Sequence, residues 1–147
     1  MKKALAELAR KAWENNNINE KVSFAPSDKL QQKVCELFGH TINEIFITGS
    51  DIRHIKNHHA KDERLRGQRD ITPQDISMIY DTVSDFKTAN KERNDNKGNQ
   101  TILFMRDTMF MRCFALLVER GKKKAEVKTF YIHEKDSTDV RCNIPEL

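Results

Sequence analysis

Cysteine is scarce in this 147-residue chain: Cys35, Cys113 and Cys142 are odd in number and show no CxxC spacing. Neither a disulfide framework nor a cysteine zinc site is indicated, and a reducing compartment suits three free thiols. No run is long and apolar enough to span a bilayer, and Met1-Lys2-Lys3 leads into a charged helix, not an apolar signal core. A soluble polypeptide with a cytoplasmic site of action and no membrane partner is therefore expected. No internal repeat is visible, and the length suits one domain with a single active surface.

What the chain has in quantity is charge. Its 26 Lys+Arg against 22 Asp+Glu give a formal net charge of +4 and a pI near 9.0. That balance permits an anionic partner without requiring one. Basic residues gather twice, at Arg64, Arg66 and Arg69 and in the run Arg120-Gly121-Lys122-Lys123-Lys124. Either run alone reads equally well as a solvated loop.

Leu5, Leu8, Ala12 and Trp13 repeat at helical spacing, so residues 4–13 form a helix that Asn15-Asn16-Asn17 ends. A second helix starts at Ser27 or Asp28, turns Leu30, Val34, Leu37 and Phe38 inward, and stops at Gly39. The first clear strand is 42–48; Gly49-Ser50 then turns the chain out, and Ser50 or Asp51 caps a short helix that carries histidines. Thr72-Pro73-Gln74-Asp75 has the form of a helix start, with Ile76, Ile79 and Val83 inside. Residues 86–100 read as a polar loop; strands follow at 101–105, 111–119 and 125–133, the last two joined by a hairpin in which Gly121 supplies the turn. Helices first and strands afterwards favour segregated α+β. The chain divides into an N-terminal helical arm (1–20), a core (22–133) and a C-terminal tail (134–147) of one domain.

Four of the five histidines bear on chemistry: His54, His58, His59 and His133, with His40 reading as a helix-terminal residue. On a helix, His54 and His58 share a face one turn apart, whereas His59 follows Ile52 and Ile55 on the apolar side. Two imidazoles titrating near neutrality suit proton transfer from a nucleophile and to a leaving group, as cleavage of RNA through its own 2′-hydroxyl requires. The plain alternative is a polar helix face. Zinc is poorly served, since His-Glu-x-x-His is absent and no third ligand is placed, and no cofactor is called for. In the final strand, alternation sends Val127, Thr129, Tyr131 and His133 one way and Lys128, Phe130 and Ile132 the other. The hydroxyl, phenol and imidazole on one face could orient a phosphate, or simply pack.

Two segments, Ile47-Thr48-Gly49-Ser50-Asp51-Ile52-Arg53-His54-Ile55 and Arg66-Gly67-Gln68-Arg69-Asp70-Ile71-Thr72-Pro73-Gln74-Asp75-Ile76, resemble the phage Barnase-EndoU-Colicin-RelE-like nuclease domains. The segment from Gly121-Lys122-Lys123-Lys124 to Lys128-Thr129-Phe130-Tyr131 is similar to that family's last hairpin, and the likeness spans roughly residues 22–131. The resemblance implies N-terminal helices packed on a roughly four-stranded antiparallel sheet, and metal-independent RNA cleavage by a toxin-like domain. It lays the family's first histidine on His54 with Arg53 before it, its second on His59 or neighbouring His58, and its strand threonine on Thr129.

The resulting expectation is an endoribonuclease that leaves a 2′,3′-cyclic phosphate. One histidine of 54–59 takes the 2′-hydroxyl proton while another group protonates the departing 5′-oxygen. Arg53, Lys128 and the turn Lys122, Lys123 and Lys124 attract phosphate, with Thr129 and Tyr131 positioning it; Lys128 is the weakest, because alternation points it away from Thr129. Tyr131, Phe130 and Phe104 fit a core as well as a base-stacking platform, so a structured RNA such as tRNA suits the chain better than an extended strand. An acidic immunity or antitoxin protein would complement the basic site, and delivery within a phage or secreted toxin fits such a domain. The competing reading keeps the fold without catalysis, as a phage-structural, nucleic-acid-binding or protein-binding module.

Overall fold

Helix α1 (Lys2–Glu14) leads into β1 (Lys21–Phe24), α2 (Asp28–Phe38), β2 (Glu44–Thr48) and α3 (Gly49–His59). A 3-10 turn (Pro73–Ser77) runs into α4 (Met78–Ser84), and β3 (Thr88–Glu92), β4 (Thr101–Asp107), β5 (Met111–Arg120) and β6 (Lys124–Glu134) follow. This computed structural model describes residues 1–59, 68–121 and 123–135. Among them no helix is long and apolar enough to cross a membrane.

The architecture is α+β, as expected, but the sheet has six strands, in the order β1-β2-β6-β5-β4-β3. Strands β3 to β6 make an antiparallel meander, β1 pairs antiparallel with β2, and β2 lies parallel to β6 where the two groups meet. The two strands beyond the expected four are the sheet's edges. β3 falls inside the stretch read as a polar loop: Thr-Ala-Asn-Lys-Glu is almost wholly exposed, yet its backbone pairs with β4 from Thr88↔Met105 to Glu92↔Thr101. An edge strand needs little apolar surface, and charge on it discourages pairing with another chain. β1 is short, opposite β2, and ends before Pro26.

One face of the sheet is buried. Ile45, Ile47, Ile102, Phe104, Ala115, Leu117, Ala125, Val127, Phe130 and Ile132 are fully buried there. Against them pack Leu30 and Val34 of α2, Ile52 and Ile55 of α3, and Ile79 and Val83 of α4. Leu5, Leu8, Ala9 and Ala12 of α1 join the same cluster, so the N-terminal helix is built into the core and contacts α3 and the 3-10 turn. α2 is capped by Ser27, whose Oγ accepts from Leu30 N at 3.1 Å, and ends at Gly39, whose φ of 87° closes the last turn onto the Cys35 carbonyl.

In the β5–β6 hairpin, among the described residues, Lys123 has the left-handed conformation, with φ 58°, and Gly121 does not. Its carbonyl accepts from Asn43 N at 2.7 Å, fastening the hairpin end to the approach to β2.

Candidate active site

Two Thr-x-x-Asp boxes set the local framework. At Thr72 the side chain of Asp75 accepts from the threonine backbone N at 2.8 Å and from its Oγ1 at 3.0 Å. The same pattern opens α3: Asp51 Oδ2 accepts from Thr48 N and Oγ1, each at 3.0 Å, and Thr48 Oγ1 accepts from Asp51 N at 3.1 Å. The cap is therefore Thr48, one turn before Asp51, in place of Ser50 or Asp51 itself. Both aspartates are buried and each takes a cation from elsewhere, Arg69 on Asp75 at 2.8 Å and Lys128 on Asp51 at 2.9 Å.

α3 is seated by close backbone approach. Gly49 N donates to Glu20 O at 2.9 Å, and a Cβ on Gly49 would lie 2.3 Å from the Ile18 carbonyl oxygen. Arg53, expected to bind phosphate, instead spends its guanidinium here: Nη1 donates to Ile18 O at 2.5 Å and Asn15 O at 3.3 Å. Lys56 Nζ donates to Trp13 O at 2.6 Å. Both cations tie α3 to the end of α1 and the loop after it, which leaves the histidine side of α3 to other work.

The rings of His54 and His58 lie with centroids 4.3 Å apart, as one-turn spacing on a helix requires. His59 turns toward the sheet and stacks on Tyr131, centroids 5.4 Å apart, and Tyr131 stacks in turn on Phe114 at 4.9 Å. Three rings from α3, β6 and β5 thus form one row. The His54 imidazole is held below its ordinary pKa, first by burial and then by the charges of His58, Lys128 and His59. It is accordingly neutral at pH 7, the form that accepts a proton. Tyr131 is shifted up by burial and by the Glu92 charge, so its phenol stays protonated and can donate.

Strand β6 does not alternate along its whole length. Leu116 pairs with Thr129 and Leu117 with Val127, so Lys128 is an extra residue in a β-bulge. Before it, Ala125 and Val127 face the core; after it, Phe130 and Ile132 do. Val127 is therefore not on the face of Thr129, and Lys128, expected to point away from Thr129, lies on the same side of the strand. Both line a groove of about 590 Å³ on the face opposite the core, with Tyr131, Thr101, Leu103, Leu116, Val118 and the charged Glu92, Arg93, Asp95 and Arg120. Thr129 Oγ1 is buried and has no hydrogen-bond partner among the described residues.

The basic turn is elsewhere. Lys124 and Tyr131 are seven residues apart, about 20 Å along a strand, and Lys124 Nζ pairs with Glu44 at 3.7 Å. Lys123 lines a separate hollow with His40, Glu119 and Gly121. Lys122 lies outside the described residues, as do Arg64, Arg66 and Cys142. His133 sits on β6 opposite Arg112, beyond the ring row. Among the described residues no three His, Cys, Asp or Glu side chains are grouped to hold a metal ion.

Two groups at the site have no counterpart in the expectations. Asp51 was read only as a helix cap, and Glu126 was not singled out. Glu126 accepts from Arg120 Nε at 2.8 Å, lies 3.7 Å from Lys128 Nζ, and has its carboxyl pKa raised by burial and by a hydrogen bond with Asp51.

A helix bearing three imidazoles is thus docked against a strand bearing a lysine, a threonine and a tyrosine beside an open groove in an α+β domain. The comparison with protein families agrees: the phage-Barnase-EndoU-ColicinE5/D-RelE like nuclease3 family model matches residues 25–139. The chain belongs to that family of nucleases. No curated protein and no solved structure matches it.

Proposed function

We propose that the protein is a metal-independent endoribonuclease that cleaves RNA through its 2′-hydroxyl. The observation that carries this reading is the docking of the α3 histidines on β6, made by the His59–Tyr131 stack beside Lys128 and Thr129. His54, neutral because its pKa is depressed, removes the 2′-hydroxyl proton. The 2′-oxygen attacks phosphorus, the bond to the 5′-oxygen breaks, and His59 gives that oxygen its proton. A 2′,3′-cyclic phosphate and a 5′-hydroxyl result. His58, in ring contact with His54, tunes the base.

Lys128 neutralises charge growing on the phosphate, and the protonated Tyr131 phenol donates to it. Thr129 Oγ1 can rotate toward the groove without surrendering a bond, since it makes none with the described residues. The groove carries the strand flanking the cleaved bond between Arg93 and Arg120, and Lys123 and Lys124 meet more distant phosphates. This layout, with a shallow groove and few free aromatic faces, favours a structured RNA such as tRNA, held by shape and backbone.

Purified protein is incubated with total RNA in EDTA, and the new ends are assayed for cyclic phosphate. Cleavage is expected, with His54→Ala and His59→Ala each slower by about 10²–10⁴-fold and His58→Ala affected far less. RNA left intact by the wild type, or cleaved equally by His54→Ala, refutes the proposal.

A further inference from the structure

We propose that Asp51 is a positioning residue, holding the Lys128 ammonium beside His54 through a buried carboxylate that ties the α3 cap to the β6 bulge. This rests on the reading above for its consequence in catalysis, but not for its geometry.

The two oxygens of Asp51 have separate partners. Oδ2 takes the backbone and hydroxyl of Thr48, and Oδ1 takes Lys128 Nζ at 2.9 Å. Asp51 is 1% exposed, whereas the Lys128 side chain is 38% exposed. A buried carboxylate that already accepts two bonds has one orientation, so the ammonium it holds is placed to within hydrogen-bond tolerance. An unpinned lysine on a strand would instead spread over several rotamers in solvent.

Lys128 is available for this because it is the bulge residue. A regular β6 would pass from Val127 to Thr129 with no cation toward Asp51. Glu126, 3.7 Å from the same ammonium, completes the clamp, and Arg120 holds Glu126 in turn. The charged or titratable groups around Lys128 are Asp51 and His54 from α3 and Glu126 from β6, and Glu126 also hydrogen-bonds Asp51. Those around His54 are His58 and His59 on α3 and Lys128 on β6. Asp51 stands one turn before His54 on α3, so its charge acts on that ring directly as well as through the position of Lys128.

That routing is testable without any assay of activity. The titration of His54 is followed by NMR in the wild type, Lys128→Met, Asp51→Asn and the double variant. Lys128→Met should raise the His54 midpoint by about half a pH unit, the effect of losing one neighbouring positive charge in a partly wet site. Asp51→Asn should lower it in the Lys128→Met background, by removing a carboxylate one turn away, and should lower it less, or raise it, where Lys128 is present, because the ammonium then drifts into solvent. Additive shifts in the double variant would overturn the proposal.

Should Asp51→Asn fail to fold, the wild type supplies the answer: pinned Lys128 ammonium protons should exchange with water more slowly than those of exposed Lys97. Equal exchange would overturn the clamp. If the wild type cleaves RNA, the acid limb of kcat/KM should follow the same midpoints. If it does not, the NMR result still stands or falls by itself, which keeps failure of the clamp distinct from failure of the nuclease reading.

Discussion

Gly49→Ala should destabilise the protein although alanine is the better helix former. The added Cβ would meet the Ile18 carbonyl oxygen at 2.3 Å, against an ordinary contact of 3.4 Å or more, so α3 or the loop before β1 must retreat by about 1 Å. Neither is free to do so cheaply. Gly49 N donates to Glu20 O, and the same Ile18 oxygen accepts from Arg53 Nη1. Forced overpacking costs about 1–3 kcal/mol, and weakening a charge-assisted bond adds about 1 kcal/mol. Helix propensity returns less than about 1 kcal/mol at a first-turn position. The net of about 2–3 kcal/mol corresponds to a fall in Tm of roughly 5–10 °C for a chain of this size. Thermal and urea unfolding measure it, with Ser50→Ala as the neighbouring control. A Tm within about 2 °C of the wild type would refute the claim that close backbone approach at Gly49 seats the histidine helix.

The remaining expectations concern pH and the ring row. His40 is raised in pKa by its bond with the Thr41 carbonyl and by Glu119. Its stabilising contribution is therefore complete below its unfolded pKa and lost as pH rises through the folded value, so Tm measured from pH 6 to 8 should fall more steeply in the wild type than in Glu119→Gln. Tyr131→Phe keeps both ring stacks and should unfold like the wild type while losing roughly 10²–10³-fold in kcat, as removal of one donor to developing charge does. Tyr131→Ala, which also releases His59, should lose more, and circular dichroism with steady-state kinetics separates the two.

The sequence was most informative where a face had to be buried. α2, β2 and β5 announce themselves through Leu30, Val34 and Phe38, through Ile45 and Ile47, and through Cys113, Ala115 and Leu117, all buried in the fold. β1 and β3 were illegible for the complementary reason. They are edges held by backbone bonds to one neighbour, and β3 carries Asn, Lys and Glu as readily as a loop would. The histidine helix was placed correctly, and the contest between His58 and His59 proved to be two arrangements at once, one ring against His54 and the other against Tyr131. Arg53 could not be judged from its neighbour His54. Adjacent helix residues point about 100° apart, and only the packed α1 shows that its side belongs to structure.

The bulge did leave a trace in the sequence. Ala125 and Val127 are apolar at odd positions and Phe130 and Ile132 at even ones, a change of parity that a regular strand sharing one core face cannot accommodate without an extra residue. Deleting Lys128 should therefore be tolerated by the fold. Val127 would precede Thr129 directly, the pairs Leu117↔Val127 and Leu116↔Thr129 would become successive, and no core side chain would change face. The loss should be limited to the Asp51 ion pair and the local twist, about 3–5 kcal/mol for leaving one buried carboxylate without its cation. Point deletions in a central strand without a bulge flip every later side chain and abolish folding, as deleting Leu117 should do here. Comparing unfolding of the two deletion variants tests the parity argument, and it is refuted if both collapse alike. If the shortened strand folds, the extra residue in β6 serves the site and not the sheet: its place in the fold is to hold a cation, buttressed by Asp51, next to His54.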